Sequence, residues 1–269
     1  MARPRYTLTG ALLVAGLCLA ATVFAQRGRF GFRLPPNPAY DGAFQFCRAI
    51  YQRNPYPDGG NWTTDYPQAD VNFPYRLAEL TLTPVSKDTK RNPNHAIVGL
   101  TDPELYRCPM IMMYEVGAIY FDETDAAGLR DYLLKGGFLW VDDFWGEYAW
   151  RVWETEIRKV LPAGEYPMMD IPLAHPIFHV LYEVNEVPQI PSIGFWFGTG
   201  GRTSERVDSQ VPHIRGIFDR RGRLMVLISH NTDFGDAFER EGENRAYFDR
   251  FAGVGYAFGI NAALYAMTH

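Results

Sequence analysis

Short, solidly apolar runs alternate with longer amphipathic runs along most of this chain. Several of the short runs lack a polar face, which is typical of strands buried on both sides of a parallel sheet. They predict strands over Phe44–Tyr51, Ile97–Leu100, Met110–Tyr114, Phe138–Val141, Ile214–Asp219 and Leu224–Ile228. The longer runs have helical spacing and predict helices over Val71–Leu82, Thr124–Lys135, Tyr148–Leu161 and Asn244–Met267. This order predicts an α/β domain with a mostly parallel sheet and helices on both faces.

Local signals set several element boundaries. Asp102 before Pro103 predicts the start of a helical turn, with Asp102 as its cap. Thr124 is the predicted cap of the next helix, and Gly136 is its predicted stop. The segment Gly194–Gly201 is rich in glycine and aromatic residues and is predicted to be a loop.

The segment GGFLWVDDFWG, residues Gly136–Gly146, is the most informative part of the sequence. Its apolar run Phe138–Val141 stops at two adjacent carboxylates, Asp142 and Asp143. A buried parallel strand delivers polar groups in this way to the carboxyl edge of an open α/β sheet, where such folds place their sites. We therefore expect a site at this edge.

Two other predicted strands also end in polar groups, and these ends are expected to lie at the same edge. One carries Glu115, and the other leads into the loop His230–Asp236. His175 and His179 are expected to reach this edge from the intervening loop. The predicted ligand-binding residues are Glu115, Asp142, Asp143, His175, His179, His230, Asn231, Asp233 and Asp236.

Convergent carboxylates and imidazoles bind divalent metals or act as general acids and bases. An enzymatic interpretation takes its catalytic candidates from four residues: Asp142, Asp143, His175 and Asp233. The same acidic residues also suit helix caps and loop hydrogen bonds. A pocket for a sugar-like or peptide-like ligand is a third interpretation. No cofactor is evident beyond a divalent metal, and whether a metal binds stays open.

Several catalytic signatures are absent from the sequence. It has no GxSxG elbow, no GxGxxG after a strand, no P-loop and no HExxH. It also has no CxxC, so neither a redox motif nor a cysteine zinc site is supported. The sequence therefore leaves open whether the protein is an enzyme.

The amino terminus has the features of a secretory signal peptide. Arg3 and Arg5 precede an apolar run that ends in Val23-Phe24-Ala25, with small residues where cleavage requires them. We expect residues 1–25 to be removed near Ala25, leaving a periplasmic or extracellular chain without a transmembrane segment. Residues 26–42 are predicted to form an extended arm or linker, and residues 43–269 one α/β domain.

The charge of the chain narrows the class of binding partner. Its cysteine content leaves open whether a disulfide forms. The formal charge of −5 becomes −7 when Arg3 and Arg5 are removed with the signal peptide. This acidic balance argues against nucleic acid as a partner. Cys47 and Cys108 remain after cleavage, both in apolar surroundings. Two buried thiols and one disulfide are both compatible with the sequence.

Several segments together resemble the bacterial DUF4159 family, a domain of unknown function. The matching segments are Trp62–Thr81, Leu129–Gly146, Ala174–His179, His230–Glu239 and Gly259–His269. The resemblance implies a flavodoxin-like fold of the class I glutamine amidotransferase type, related to ThuA-like proteins. In that fold the strand after the glycine pair leads to the nucleophile turn. Here that turn carries Asp142-Asp143-Phe144 and no cysteine, so thiol amidotransferase activity is not expected.

The leading functional hypothesis is an exported cell-envelope domain that binds a small molecule or an envelope protein at the acidic edge. One alternative is a hydrolase, with or without a divalent metal, that uses the aspartates and histidines at the strand ends. Another is a structural or assembly partner that docks through exposed aromatic residues such as Trp196.

Overall fold

A computed structural model of the protein describes residues 36–269. The predicted signal peptide and residues 26–35 of the predicted arm lie outside the described residues. Within the described part of the arm, Asn37 bonds to β-strand backbone through both ends of its amide. Its Nδ2 donates to the carbonyl oxygen of Ile97, and its Oδ1 accepts from the Ile97 N–H, each at 2.9 Å.

Nine strands form two sheets in this part of the chain. They are β1 (Phe46–Ile50), β2 (Gln52–Arg53), β3 (His95–Gly99), β4 (Ile111–Tyr114), β5 (Ile119–Tyr120), β6 (Leu139–Asp142), β7 (Met168–Asp170), β8 (His213–Phe218) and β9 (Leu224–His230). The main sheet has seven strands in the order β3-β1-β4-β6-β9-β8-β7. The short strands β2 and β5 pair with each other.

The α-helices are α1 (Gln68–Leu80), α2 (Glu123–Leu134), α3 (Gly146–Val160), α4 (Ile193–Gly198), α5 (Phe234–Glu239), α6 (Arg245–Tyr247) and α7 (Gly253–Thr268). Three-residue and five-residue 3₁₀ turns cover Pro103–Arg107, Val116–Ala118 and Pro176–Phe178. A π-helical turn over Phe248–Ala252 joins α6 to α7. The predicted terminal helix is therefore irregular just before Gly253.

The topology confirms the predicted fold class. Five strands, β3, β1, β4, β6 and β9, are mutually parallel, whereas β8 and β7 extend the sheet in antiparallel fashion. Taken in chain order, the five parallel strands have the spatial order 2-1-3-4-5. This is the flavodoxin-like order, in which ligands bind outside the carboxyl ends of the strands.

The sheet is covered on both faces because its strands are apolar on both faces. On one face Trp140 of β6 packs edge-on against Phe234 of α5 and Phe258 of α7. On the other face α2 and α3 bury their apolar sides, including Leu133 and Trp153. Alternation along each strand sends successive side chains to these two layers. The sheet thereby holds its carboxyl edge rigidly.

Asp102 occupies the predicted N-cap position of its turn, but its side chain accepts from the Gly99 N–H at 2.8 Å instead of making a cap bond. Two other local predictions are wrong. The cap of α2 is Asp122, not Thr124, because the Asp122 carboxylate accepts from two backbone N–H groups. The segment predicted as the loop Gly194–Gly201 contains helix α4. Propensity alone missed it, because its glycines are poor helix formers.

Cys47 and Cys108 form a disulfide, which resolves the alternative left open by the sequence. The bond joins β1 to the segment that leads into β4, across 61 residues of chain. Among residues 36–269, no helix combines the length and the apolar character needed to cross a bilayer.

Candidate functional site

Three aspartates from three separate loops meet at the carboxyl edge of the sheet. Asp65 precedes α1, Asp143 follows β6, and Asp233 follows β9. One carboxylate oxygen from each lies within 4.8 Å of the others. We call these residues the acidic triad. Two of its members, Asp143 and Asp233, were predicted site residues.

Asp143 is held by the turn between β6 and α3. Its backbone has a φ of 54°, in the left-handed region that aspartate tolerates better than most residues. Its Oδ1 accepts a hydrogen bond from Trp145 Nε1 at 3.1 Å. The left-handed turn reverses the chain directly after the strand, so that the carboxylate stays at the sheet edge.

Asp65 contributes the least satisfied carboxylate of the triad. Its Oδ2 is buried and has no hydrogen-bond partner within the described part of the chain. The oxygen packs against Gly235, where an added Cβ would overlap it and the ring of Tyr114. A buried acceptor without a donor loses its hydration and receives nothing in return. It is therefore poised to accept a cation or a proton.

Asp233 has a structural role as well as its place in the triad. Its Oδ1 accepts from the Asp236 N–H at 2.7 Å and so caps α5. Its own N–H donates to the carbonyl oxygen of Ile190 at 2.9 Å. The predicted cap role of Asp233 is therefore confirmed, and its role in a ligand site stays a prediction.

Burial and mutual repulsion dominate the electrostatics of the triad. Burial, followed by the charges of neighbouring carboxylates, raises the pKa of Asp65, Asp143 and Asp233 well above the usual range. Within residues 36–269 none of the three forms an ion pair. The nearby buried Arg48 is already engaged by Asp70, which it contacts through two nitrogens. Without a paired cation, the three carboxyl groups therefore bind protons more readily than ordinary aspartates do.

Asp142 lies behind the triad and acts as a structural acceptor. Its Oδ1 accepts from Ser229 Oγ at 2.5 Å, and its Oδ2 accepts from the Gly235 N–H at 2.9 Å. Burial raises the pKa of Asp142 to about 7, against these hydrogen bonds, which lower it. Both oxygens are committed to the protein, so Asp142 supports the site by fixing the loops around it.

Glu115 flanks the triad at the end of β4. Its backbone is also left-handed, with a φ of 53°. Its carboxylate packs against Gly59 and Gly60, where a Cβ on Gly59 would overlap Oε2. Burial raises the pKa of Glu115 to about 7, and the charge of Glu115 in turn raises the pKa of Asp143. Glu115 therefore places a further carboxyl group between the triad and the loop that carries Gly59 and Gly60.

A second acidic set shares Asp65 with the triad. Oxygens from Asp65, Asp236 and Glu239 also lie within 4.8 Å of one another. Unlike the triad, this set is partnered: Asp236 Oδ2 accepts from the Ile193 N–H at 2.7 Å and from Tyr247 Oη at 3.0 Å. Arg240 Nε lies 2.6 Å from Glu239 Oε2 and 3.7 Å from Asp236 Oδ1.

His230 and Asn231 bind the neighbouring loop instead of facing the triad as ligands. His230 Nε2 lies 3.1 Å from the Gly146 carbonyl oxygen, and the ring stacks on Phe144. Burial lowers the pKa of His230 to about 4, so its ring is neutral near pH 7. Asn231 bonds to both ends of the same turn. Its side chain accepts from the Gly146 N–H, and its own N–H donates to the Phe144 carbonyl oxygen.

The structure does not bring His175 and His179 to the carboxyl edge. His175 packs against Phe218 and Tyr265. Phe218 pairs with Leu224, the first residue of β9, and so marks the opposite, amino edge of the sheet. His179 bonds to Glu183 and to the Leu173 carbonyl oxygen. Both histidines lie in the segment between β7 and β8, and the contacts of His175 hold it at the amino edge.

Sequence reasoning missed two of the clustered acids, Asp65 and Glu239. The available signal for Asp65 was its place in the polar loop that follows the first predicted strand. Such a loop begins at the same edge as the other strand ends. Glu239 ends α5, one turn after Asp236, and spacing of three residues places both on one face of that helix.

The site is small and closely packed. Asp143 is 6% exposed and Asp233 is 3% exposed, whereas Asp65 is half-buried. Surface cavities of about 380, 480 and 770 Å³ occur elsewhere and include no triad residue in their linings. The arrangement therefore suits an ion better than a bulky ligand enclosed at the triad.

Fold and site together define a flavodoxin-like α/β domain with a carboxylate-rich centre at the carboxyl edge of its sheet. The family model of DUF4159, a domain of unknown function, matches residues 45–267, and the chain belongs to this family. No curated protein matches the chain.

Proposed function

We propose that this domain binds one divalent cation at the acidic triad, and that it does so as an exported protein of the cell envelope. The observation that carries the proposal is the approach of three carboxylates, two buried and one half-buried, to within 4.8 Å of one another without a paired cation among the described residues. Carboxylate oxygens are the ligands preferred by Ca²⁺, Mg²⁺ and Mn²⁺.

The ligand chemistry favours calcium among these ions, since Ca²⁺ takes carboxylate and carbonyl oxygens in a flexible geometry. Calcium–oxygen distances of about 2.3–2.6 Å allow ligands on opposite sides of the ion to lie about 5 Å apart. Magnesium, with distances of about 2.0–2.1 Å, needs its ligands within about 4 Å. Oxygens that all lie within 4.8 Å of one another are compatible with this calcium range, and Mg²⁺ is the more demanding ion because it requires near-ideal octahedral geometry and usually keeps several of its waters.

Asp65 gives a second, independent reason to place a cation here. Its buried Oδ2 lacks a donor, and the glycine at position 235 leaves the space that this oxygen occupies. The contrast with Asp142 is informative, because the oxygens of Asp142 are also buried but each receives a donor. A cation would supply to Asp65 what the protein supplies to Asp142.

Export is supported by two features of different kinds. The amino-terminal pattern is that of a signal peptide, and Cys47 is bonded to Cys108. Structural disulfides persist in oxidising compartments such as the periplasm and the extracellular space. In our proposal a cation binds at the acidic triad. A small molecule or a protein of the envelope then occupies the remaining coordination positions of that cation.

The proposal is tested with the chain expressed from residue 1 and recovered after export. Its mass reports whether cleavage follows Ala25. Isothermal titration of the chelated protein with CaCl₂ and MgCl₂ is expected to show one site, with tighter binding of Ca²⁺. Calcium at 100 times Kd should stabilise the fold by about 2.7 kcal/mol.

Asp143→Asn and Asp233→Asn are expected to weaken calcium binding by at least about tenfold, since each removes one charged ligand. Asp131→Asn is the matched control, because Asp131 is an exposed acid paired with Lys135. Absence of calcium binding to the wild-type chain would refute the proposal. Equal affinity in Asp143→Asn and wild type would also contradict it.

A further inference from the structure

The two acidic sets differ in their cationic neighbours. Within residues 36–269 the triad forms no ion pair, whereas the set Asp65, Asp236 and Glu239 has the Arg240 guanidinium beside it. Arg240 follows Glu239 at the end of α5. Its Nε lies within 4 Å of two carboxylates of the set, and its Nη1 bonds to Glu243 at 2.7 Å.

Asp65 connects the two sets through a carboxylate with two oxygens. Its buried Oδ2 has no hydrogen-bond partner among the described residues. A carboxylate of this kind is suited to bridge two cations, as in centres where two metal ions share a ligand. The acids on both sides of Asp65 would complete such a pair of sites.

We propose that Arg240 takes the place of a second cation, and thereby limits this acidic edge to one bound divalent ion. This inference rests on the proposed calcium site and specifies its stoichiometry. A positive guanidinium close to Asp236 and Glu239 neutralises part of their charge and repels a divalent ion from the same space. Without it, Asp65, Asp236 and Glu239 form a second carboxylate site, and Asp65 bridges the two ions.

Arg240→Gln tests the inference because it removes the charge and keeps most of the side-chain stem. Titration of the chelated, full-length exported protein with CaCl₂ is expected to give one ion per wild-type chain and two per Arg240→Gln chain. Arg240→Lys keeps a cation and should bind one. Arg245→Gln is the matched control, since Arg245 forms an exposed pair with Asp249, and it should also bind one.

A second change shows where the additional ion binds. Glu239→Gln combined with Arg240→Gln should return the stoichiometry to one, because the new site loses a ligand. Circular dichroism verifies the fold of each variant. If Arg240→Gln does not fold, Arg240→Met serves for the same test, because it also removes the charge and keeps an unbranched side chain.

The outcomes separate this inference from the proposal beneath it. One ion in both wild type and Arg240→Gln overturns the inference and leaves the triad site intact. Two ions in wild type also overturn it. No ion in wild type with one ion in Arg240→Gln refutes the triad site and supports the role of Arg240. No ion in either protein refutes both.

Discussion

The Asn231 side chain holds Gly146, 85 residues away in the chain, through a hydrogen bond of 2.8 Å from the Gly146 N–H to Asn231 Oδ1. The Asn231 N–H also donates to the Phe144 carbonyl oxygen at 3.0 Å. These two bonds fix the turn that carries Asp143 to the strand end that carries Asp233. Asn231 is thus a positioning residue for two members of the triad.

We predict that Asn231→Ala destabilises the fold by roughly 1–3 kcal/mol, the usual effect of leaving a buried N–H without its acceptor. The left-handed φ of 62° adds strain that asparagine tolerates and alanine does not. Calcium affinity should fall as well, since Asp143 loses its fixed position. Urea unfolding and calcium titration measure the two effects.

Asn231→Asp is the control for this prediction. It keeps an acceptor at Oδ1 and also tolerates the left-handed backbone. It should therefore retain more stability than Asn231→Ala. Equal calcium affinity in wild type and Asn231→Ala would show that the turn is fixed by other contacts, such as the bond from His230 to Gly146.

Gly235 provides a steric test of the triad. A Cβ at this position would overlap Asp65 Oδ2 and the Tyr114 ring. Gly235→Ala should destabilise the fold by about 1–3 kcal/mol through overpacking, although alanine is the better helix former. It should also displace the Asp65 carboxylate and weaken calcium binding, as measured by titration.

Gly242→Ala is a suitable comparison, because an added Cβ there meets no atom within 4 Å. Its calcium affinity should equal that of wild type. If Gly235→Ala were as stable as this control and bound calcium as tightly, the close packing of Asp65 on Gly235 would play no part in the site.

The fold was predictable from the sequence because its strongest signals are local. The run Phe138–Val141 is apolar without interruption, and the glycines before it end a helix, so a buried strand follows. The short strands β2, β5 and β7 left no such signal. Their two or three residues pair at the margins of the sheets, where tertiary contacts decide the conformation.

The site residues were predictable only where they follow closely on a predicted strand. Asp142 and Asp143 follow β6 directly, and Asp233 follows β9 by three residues, so their shared edge could be inferred. Asp65 reaches the same place from a long loop, whose path depends on contacts distant in sequence. His175 follows the three-residue strand β7, and its ring packs on Phe218 and Tyr265. These contacts are distant in sequence, so no local pattern revealed them.

The disulfide between Cys47 and Cys108 should contribute strongly to stability. Closing a loop across 61 residues stabilises the fold by roughly 4 kcal/mol in the chain-entropy description. Cys47→Ala with Cys108→Ala should lower the free energy of unfolding by about 2–4 kcal/mol. Urea unfolding of wild type and the double variant measures the difference.

Reduction of the wild-type protein with dithiothreitol gives an independent comparison, and it should reproduce the loss seen in the double variant. Addition of the same reductant to the double variant should change nothing. A double variant as stable as the oxidised wild type would show that the cross-link contributes no stability to the native fold.

The acidic edge should make the calcium-free protein less stable as the pH rises toward 8. Burial raises the pKa of Asp142 and Glu115 to about 7 and that of Asp236 to about 6. Unfolded carboxyl groups titrate near 4, so between pH 4 and pH 7 the folded state holds more protons. For each additional proton that the folded state holds, the free energy of unfolding falls by about 1.4 kcal/mol per unit increase in pH.

His230 acts in the opposite direction, but over a lower range. Burial lowers its pKa to about 4, so its contribution is lost as the pH falls from about 6.5 to about 4. Above pH 6.5 the carboxyl groups therefore decide the slope. Thermal unfolding in metal-free buffer should show a falling Tm between pH 6.5 and pH 8.

Saturating calcium should flatten or reverse this slope, because the ion binds the deprotonated carboxylates and more strongly as they lose protons. Asp142→Asn should reduce the slope in metal-free buffer, since an amide cannot titrate, whereas the exposed-site variant Asp131→Asn should leave it unchanged. A Tm that rises steadily from pH 6.5 to pH 8 without calcium would contradict the raised pKa values at this edge of the sheet.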